Sequence, residues 1–441
     1  MKRCLALLAS TLVVGTSWAT GILVVNAQNG KTLVSKQANT AFMPASNTKL
    51  FTAAAMYRLF SPTYRFQTTL SEKGNTLYLQ FSGDPSLSVA SLQTLLSHAP
   101  KHHHYHAVVL VPFHVVGPAH PLGTVVDDTP YCWSGATKPA TLNGNCLTVR
   151  IINKDHHPSV QAIGLLHPSH IINHLNWANT RQLESCVFQP SVTGNNQLTL
   201  QGCLPERSQW TFSFAANRPL TLVKQLVYKA LKQRDITLEQ KITIGKAPKN
   251  AKQIARHTSQ DLQALLTTML TDSNNLYAET FTVLLGQKVY GVPSIKAGSN
   301  AITHTLVNWA KINPRYFHLE DGAGESRYNL VSPHTIVRLL TAIYHDETLR
   351  PLFFSALAKG RKTGTLAHRF THLPKGVHIY AKTGSMNGVS TLSGYLIRPH
   401  HATLIFSIMN NGIIGSLNSA RQWQDQYFEN LLRHFRSRTW R

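Results

Sequence analysis

Pro44-Ala45-Ser46-Asn47-Thr48-Lys49-Leu50-Phe51-Thr52-Ala53-Ala54-Ala55 is the stretch on which the reading of this chain turns. It follows an extended run, 21–42, and opens a helix-like run, 48–59. Ser46 therefore stands at a helix start, and Lys49 lies one turn on, along the same face. A serine hydroxyl is a weak nucleophile until a base takes its proton, and an unprotonated lysine can be that base. The helix start adds a positive field. The competing reading is a helix cap followed by a surface lysine.

Two further motifs weigh against that bland reading. Ser273-Asn274-Asn275 lies between two helical runs, and Lys382-Thr383-Gly384-Ser385 ends a strand-like run, 377–381. Each is cheap alone. Ser-x-Asn recurs at 385–387 and 416–418, and Lys-Thr-Gly recurs at 362–364. The order of the three motifs and their settings carry the argument. Two more strand-like runs, 389–397 and 402–409, follow the third motif.

Composition bounds the setting. Lys2 and Arg3, the apolar run 4–14 and the small residues around Ser17-Trp18-Ala19 read as a secretory signal over 1–19. A retained signal anchor is the alternative. Cys132, Cys146, Cys186 and Cys203 then remain, an even count that suggests two disulfides in an exported chain. Sequence allows three pairings, of which the nearest-neighbour one closes two short loops. Without a Cys-x-x-Cys pair, zinc is a poor reading. His102-His103-His104-Tyr105-His106 reads as a solvated loop, so no metal and no cofactor are expected.

A formal net charge of +24 calls for anionic surroundings. An anionic wall polymer or lipid surface fits an exported chain. Nucleic acid does not, and no basic helix with interleaved aromatics stands out. The plain alternative is a generally basic proteome.

The three motifs must share one site, so 20–65 and 256–441 are expected to form one catalytic domain. The intervening 66–255 would be an insertion of one or two small domains. It holds all four cysteines and reads as mostly β, with strand-like runs at 77–82, 106–113, 146–152, 197–202 and 209–214. In the catalytic part, 262–270, 276–285, 299–312 and 333–345 are helical by spacing. The last run, 420–435, stripes Trp423, Tyr427, Leu431 and Phe435 along one face and carries Arg421, Arg433 and Arg436 elsewhere. It is either a helix packed on the sheet or a basic amphipathic helix in peripheral contact with a membrane.

The ordered motifs belong to the set shared by penicillin-binding proteins and class A β-lactamases. Over nearly the whole mature chain the sequence resembles the class C low-molecular-mass penicillin-binding proteins, periplasmic D-alanyl-D-alanine carboxypeptidase/endopeptidases. Gly83-Asp84-Pro85-Ser86-Leu87 resembles that family's Gly-Asp-Pro-Thr-Leu, and 321–327 resembles its Asp-Gly-Ser-Gly-Leu-Ser-Arg. Gly364-Thr365-Leu366 with Arg369, and all four cysteines, also match family positions. Asn274, Ala323 and Glu325 depart from the usual residues.

The resemblance implies an α/β (α+β) fold, a penicillin-binding or serine β-lactamase-like transpeptidase domain with a large insertion. It implies Ser46 as nucleophile, Lys49 as base, Ser273 as proton relay and Asn275 as the residue orienting Lys49. The charge of Lys382 would push the pKa of Lys49 down. Lys382 and Thr383 would bind the terminal carboxylate of a peptidoglycan stem peptide or cross-link. Gly384 would let the strand approach substrate, and the backbone N–H groups of Ser46 and Ser385 would form the oxyanion hole. Asp128, four positions before Cys132, would face the side-chain amine of the diamino acid. β-Lactam antibiotics would acylate the same serine. A serine β-lactamase or esterase, lacking such an insertion, and a non-catalytic wall-binding protein are the competing functions.

Overall fold

The computed structural model describes residues 18–134, 138–165 and 167–437; the expected signal, bar its last two residues, lies outside them. The chain is a mixed α/β protein that divides into two units. The first comprises Met1–Pro62, Pro121–Thr124 and Leu262–Arg441, and the second Thr63–His120 and Val125–Asp261.

The first unit is built on a six-stranded sheet. Its order is Ala358–Lys359, His378–Met386, Val389–Arg398, His401–Asn411, Ala19–Asn26, Thr32–Lys36, antiparallel throughout. The two central hairpin strands are buried over most of their length, because both faces are covered. Strand alternation sends Leu392 and Leu396 to one face, where they meet Tyr427, Phe428, Leu431 and Leu432 of the helix Leu417–Ser437. Trp423, Tyr427 and Leu431 of the apolar stripe thus pack on the sheet, and the side chain of Phe435 lies outside the described ones. Tyr395 points to the opposite face, and its hydroxyl donates to the Leu340 carbonyl of the helix Pro333–His345.

The helix that follows the nucleophile motif, Lys49–Leu59, is buried from Lys49 through Tyr57. A helix apolar around its circumference belongs in a core. It packs on the helices Asn275–Tyr290 and Ile295–Ala310. Those two helices touch backbone to backbone, since a Cβ on Gly298 would collide with the Thr282 carbonyl.

The second unit holds a five-stranded sheet, in the order Thr243–Ile244, Ala107–Val111, Thr76–Gln80, Gln67–Lys73, Lys252–Thr258. Leu70, Leu79, Val108 and Leu110 of this sheet pack with Leu92, Leu95, Val227 and Leu231. The last four come from the helices Val89–Leu96 and Pro219–Lys232, so this segment is less purely β than its sequence reads. The longer helix buries Leu222, Val223, Val227, Ala230 and Leu231, a legible spacing that the surrounding strand-rich runs obscured. Two three-stranded sheets form a second core around Leu147, Val149, Ile151, Leu175, Leu200 and Phe214. Cys132 and Cys146 stand at disulfide distance with Cα atoms 5.4 Å apart, as do Cys186 and Cys203 at 5.3 Å. The histidine run is partly ordered. His104–Tyr105 is a short strand beside Thr237–Leu238, and His106 Nδ1 lies 2.7 Å from Glu239 Oε2.

Candidate active site

Ser46 sits in a 3-10 turn, Ala45–Thr48, rather than in the first turn of the α-helix itself. Ala45 takes φ 46°, a left-handed conformation costly for a residue with a Cβ. The turn is held from the sheet. Thr391 Oγ1 donates to the Pro44 carbonyl at 2.8 Å, and Asn47 Nδ2 donates to Ser393 Oγ at 2.9 Å. Gly384 completes the seat, because a Cβ there would lie 2.6 Å from the Pro44 carbonyl oxygen and 3.0 Å from the Ser46 nitrogen. A close approach that needs glycine is therefore made to the nucleophile's own turn.

Lys49 is fully buried, and its Nζ has three neighbours. Ser46 Oγ lies at 2.9 Å, Asn275 Oδ1 at 2.5 Å and the Ala323 carbonyl oxygen at 2.6 Å. The last two can only accept. A neutral amine has two N–H bonds and one lone pair, so the two acceptors take the hydrogens and leave the lone pair facing the serine. Burial lowers the Lys49 pKa to about 8, against the opposing pull of Glu325, Asp321 and Glu279. Desolvation is the largest cause of that shift.

Lys382 is also fully buried, in the strand His378–Met386. Its Nζ donates to Ser273 Oγ at 2.9 Å and to the Thr383 carbonyl at 2.8 Å. Burial, with Lys49 as the second cause, pushes its pKa well below the usual lysine value. Ser273 has φ 63° and directly precedes the cap of the helix Asn275–Tyr290. Asn274 is that cap, its Oδ1 accepting from the Tyr277 N–H at 3.1 Å, a task Asp performs equally well.

Thr383 and Ser385 alternate with Lys382 and Gly384, so their hydroxyls share the more open face of the strand. Thr383 Oγ1 donates to Thr365 Oγ1 at 2.8 Å, and Ser385 Oγ accepts from Arg421 Nη2 at 3.1 Å. Ser46, Lys49, Ser273, Asn275, Lys382, Thr383, Gly384 and Ser385 thus converge within the first unit. Asp128 belongs to the second unit, half-buried at the end of the turn Val126–Asp128.

Sequence reading singled out 321–327 but assigned it no role behind Lys49, and it missed Glu279. Asp321 accepts N–H bonds from Gly324, Glu325 and Ser326 at 2.5, 2.9 and 2.6 Å, which folds 321–326 into a tight loop. That loop presents the Ala323 carbonyl to Lys49, while the Ala323 N–H donates to Glu279 Oε1 at 3.0 Å. Glu279 is fully buried, its pKa raised well above the carboxylate range by desolvation first and by Asp321 and Glu325 next. Its position, one helical turn after Asn275 in an otherwise apolar run, was the available signal. The tetrapeptide Pro121–Thr124 braces the same loop, with Ser326 Oγ donating to the Leu122 carbonyl at 2.5 Å.

Known proteins resemble this chain over most of its length. The model of the D-Ala-D-Ala carboxypeptidase 3 (S13) family matches residues 12–431. The D-alanyl-D-alanine carboxypeptidase DacB of Haemophilus influenzae is 25% identical over 412 residues, 89% of this chain and 85% of that protein. The D-alanyl-D-alanine carboxypeptidase of Actinomadura sp. (strain R39) is 27% identical over 429 residues, 90% of this chain and 78% of that protein. Penicillin binding protein 4 of Haemophilus influenzae has the same fold, with a TM-score of 0.85 at 24% identity over 96% of this chain and 97% of that one.

Proposed function

The chain belongs to the D-Ala-D-Ala carboxypeptidase 3 (S13) family of serine D,D-peptidases, and from that premise we propose that Ser46 is its nucleophile and neutral Lys49 its base. The observation that carries this is the Lys49 amine, whose two acceptor-only neighbours turn its lone pair toward Ser46 Oγ. Ser46 Oγ attacks the carbonyl of the penultimate D-Ala while its proton passes to Lys49 Nζ. The tetrahedral oxyanion is received by the backbone N–H groups of Ser46 and Ser385. As the C–N bond breaks, Ser273, hydrogen-bonded to Lys382, hands its proton to the leaving amine and takes up the proton held by Lys49, which leaves Lys49 neutral again. Water then attacks the Ser46 ester, its proton passing to Lys49 and from there to the departing Ser46 oxygen.

The substrates are peptidoglycan stem peptides ending in D-Ala-D-Ala and the D-Ala–diaminopimelate bonds of cross-links, which share one scissile geometry. Asp128 reads the side-chain amine of the diamino acid through a charge-assisted hydrogen bond. A β-lactam copies the D-Ala-D-Ala bond and acylates the same serine. The reaction needs no metal or cofactor. A secretory signal over 1–19 and two cysteine pairs at disulfide distance support a periplasmic location, where such pairs oxidise.

One mass-spectrometric experiment tests the reading. Protein exposed to penicillin should gain one penicilloyl mass on the peptide that contains Ser46, and Ser46→Ala should abolish the gain. The same digest without reductant should return the 132–146 and 186–203 linked peptides. Labelling that survives Ser46→Ala would overturn the nucleophile, and free thiols in protein taken from the periplasm would overturn the disulfides.

A further inference from the structure

A D,D-peptidase must recognise the carboxylate beside the bond it cuts, and the strand lysine is poorly placed for that. Lys382 is fully buried and its amine is turned to Ser273 and to the Thr383 carbonyl. The face of the strand that carries Thr383 and Ser385 offers hydroxyls but no charge of its own.

A charge reaches that face from elsewhere. Arg421, in the second turn of the helix Leu417–Ser437, brings Nη2 to 3.1 Å from Ser385 Oγ and Nη1 to 3.1 Å from Asn418 Oδ1. Its backbone is fixed, since Arg369 Nη2 donates to the Arg421 carbonyl at 3.0 Å. Arg369 is anchored in turn by Asp425, at 2.6 Å from Nη2 and 3.1 Å from Nε, and by Gln424 at 3.1 Å.

This placement is electrostatically unfavourable as it stands. A cation near a helix N-terminus opposes the helix dipole. Arg369 is a second cation close enough to be felt, and Asp425, the nearby carboxylate, is engaged by Arg369. Among the described residues Arg421 makes no ion pair. Such an arrangement is stabilised when an anion settles between the guanidinium and the strand hydroxyls. A guanidinium beside two hydroxyls suits the planar, two-oxygen geometry of a carboxylate.

We propose that Arg421 is the cationic ligand of the substrate carboxylate adjacent to the scissile bond, acting with the hydroxyls of Thr383 and Ser385. The assignment rests on the D,D-peptidase reading above. It makes Arg421 a specificity residue, which selects peptides with a free carboxylate over amidated ones. The remaining groups that face this position, Thr365 and the buried Lys382, then orient Thr383 and serve proton transfer.

The test compares two peptides, diacetyl-Lys-D-Ala-D-Ala and its C-terminal carboxamide, on the full-length enzyme. Arg421→Gln keeps hydrogen-bonding capacity without the charge. It should lower kcat/KM on the acid about 10- to 100-fold, the range of a lost charge-assisted hydrogen bond, and on the amide by less than about threefold. Arg421→Lys should retain most of the acid preference, an outcome that a purely structural role in the helix would not produce. Equal losses on both peptides, or an undiminished acid preference in Arg421→Gln, would overturn the assignment. Wild-type enzyme that is labelled by penicillin at Ser46 yet shows no acid preference overturns the Arg421 assignment alone. Wild-type enzyme that is neither labelled nor active on either peptide overturns the peptidase reading with it.

Discussion

The two units differ in how much charge they bury. In the first, Lys49, Lys382, Glu279 and Asp321 are all fully buried around one site. In the second, the ionisable pairs lie mostly at the surface: His102 with Asp235 at 74% and 73% exposed, His156 with Glu206 at 90% and 51%. Asp84 is the exception, buried and capping its own turn through the Ser86 N–H and hydroxyl. Burying a charge costs stability unless it is paired or neutralised, whereas exposed pairs contribute little either way. The first unit therefore bears a cost in stability that only chemistry explains. The second has the charge distribution of a solvated scaffold.

The contrast is broken most directly at the buried base. Lys49→Ala should slow acylation by penicillin about 100- to 10,000-fold, the usual weight of a general base. The lysine works only when neutral. In wild-type enzyme the rate should therefore rise about tenfold per pH unit below a pKa of about 8 and level off above it. A flat profile across that range would show that the burial of Lys49 serves packing rather than proton transfer.

Asp128→Asn probes the exposed side of the comparison. It should weaken kcat/KM on diaminopimelate-containing peptides by roughly one to two orders of magnitude, from the loss of one charge-assisted hydrogen bond. Acylation by penicillin, which lacks the amine, should be nearly unchanged. Equal losses on both would make Asp128 a support for its turn.

The smallest effect is expected at Glu279. Its raised pKa means that the folded state holds a proton which the unfolded chain sheds above about pH 4.5. Its contribution to stability thus falls as pH rises from there toward the folded pKa. Glu279→Gln mimics the protonated acid and still accepts from the Ala323 N–H, so acylation should stay within about threefold of wild type. Its melting temperature should gain on wild type between pH 5 and pH 8. A loss that grows with pH would mean that an ionised Glu279 is required.

Much of the site was legible because motif residues announce themselves by type and order. Ser46 and Lys49 share a helix face by local geometry, and Asn275 and Lys382 follow from the ordered motifs. Glu279 and Arg421 were not legible in that way. A glutamate in a helix and an arginine near the end of the chain are common surface residues until a fold buries or aims them. The helices Val89–Leu96 and Pro219–Lys232 were lost for a different reason, their periodic stripes being short beside the strand-like runs that flank them.

By itself the sequence determined the family and picked out the candidate nucleophile, base and insertion, because these rest on short spacings and on residue chemistry that no packing changes. Only the tertiary structure decided where the charges act. It turned Lys382 inward to Ser273, set Gly384 against the Ser46 turn, and brought Arg421 beside Ser385 from 36 residues along the chain. The strength of a charge depends on burial and on neighbours distant in sequence, and those exist only once the chain has packed.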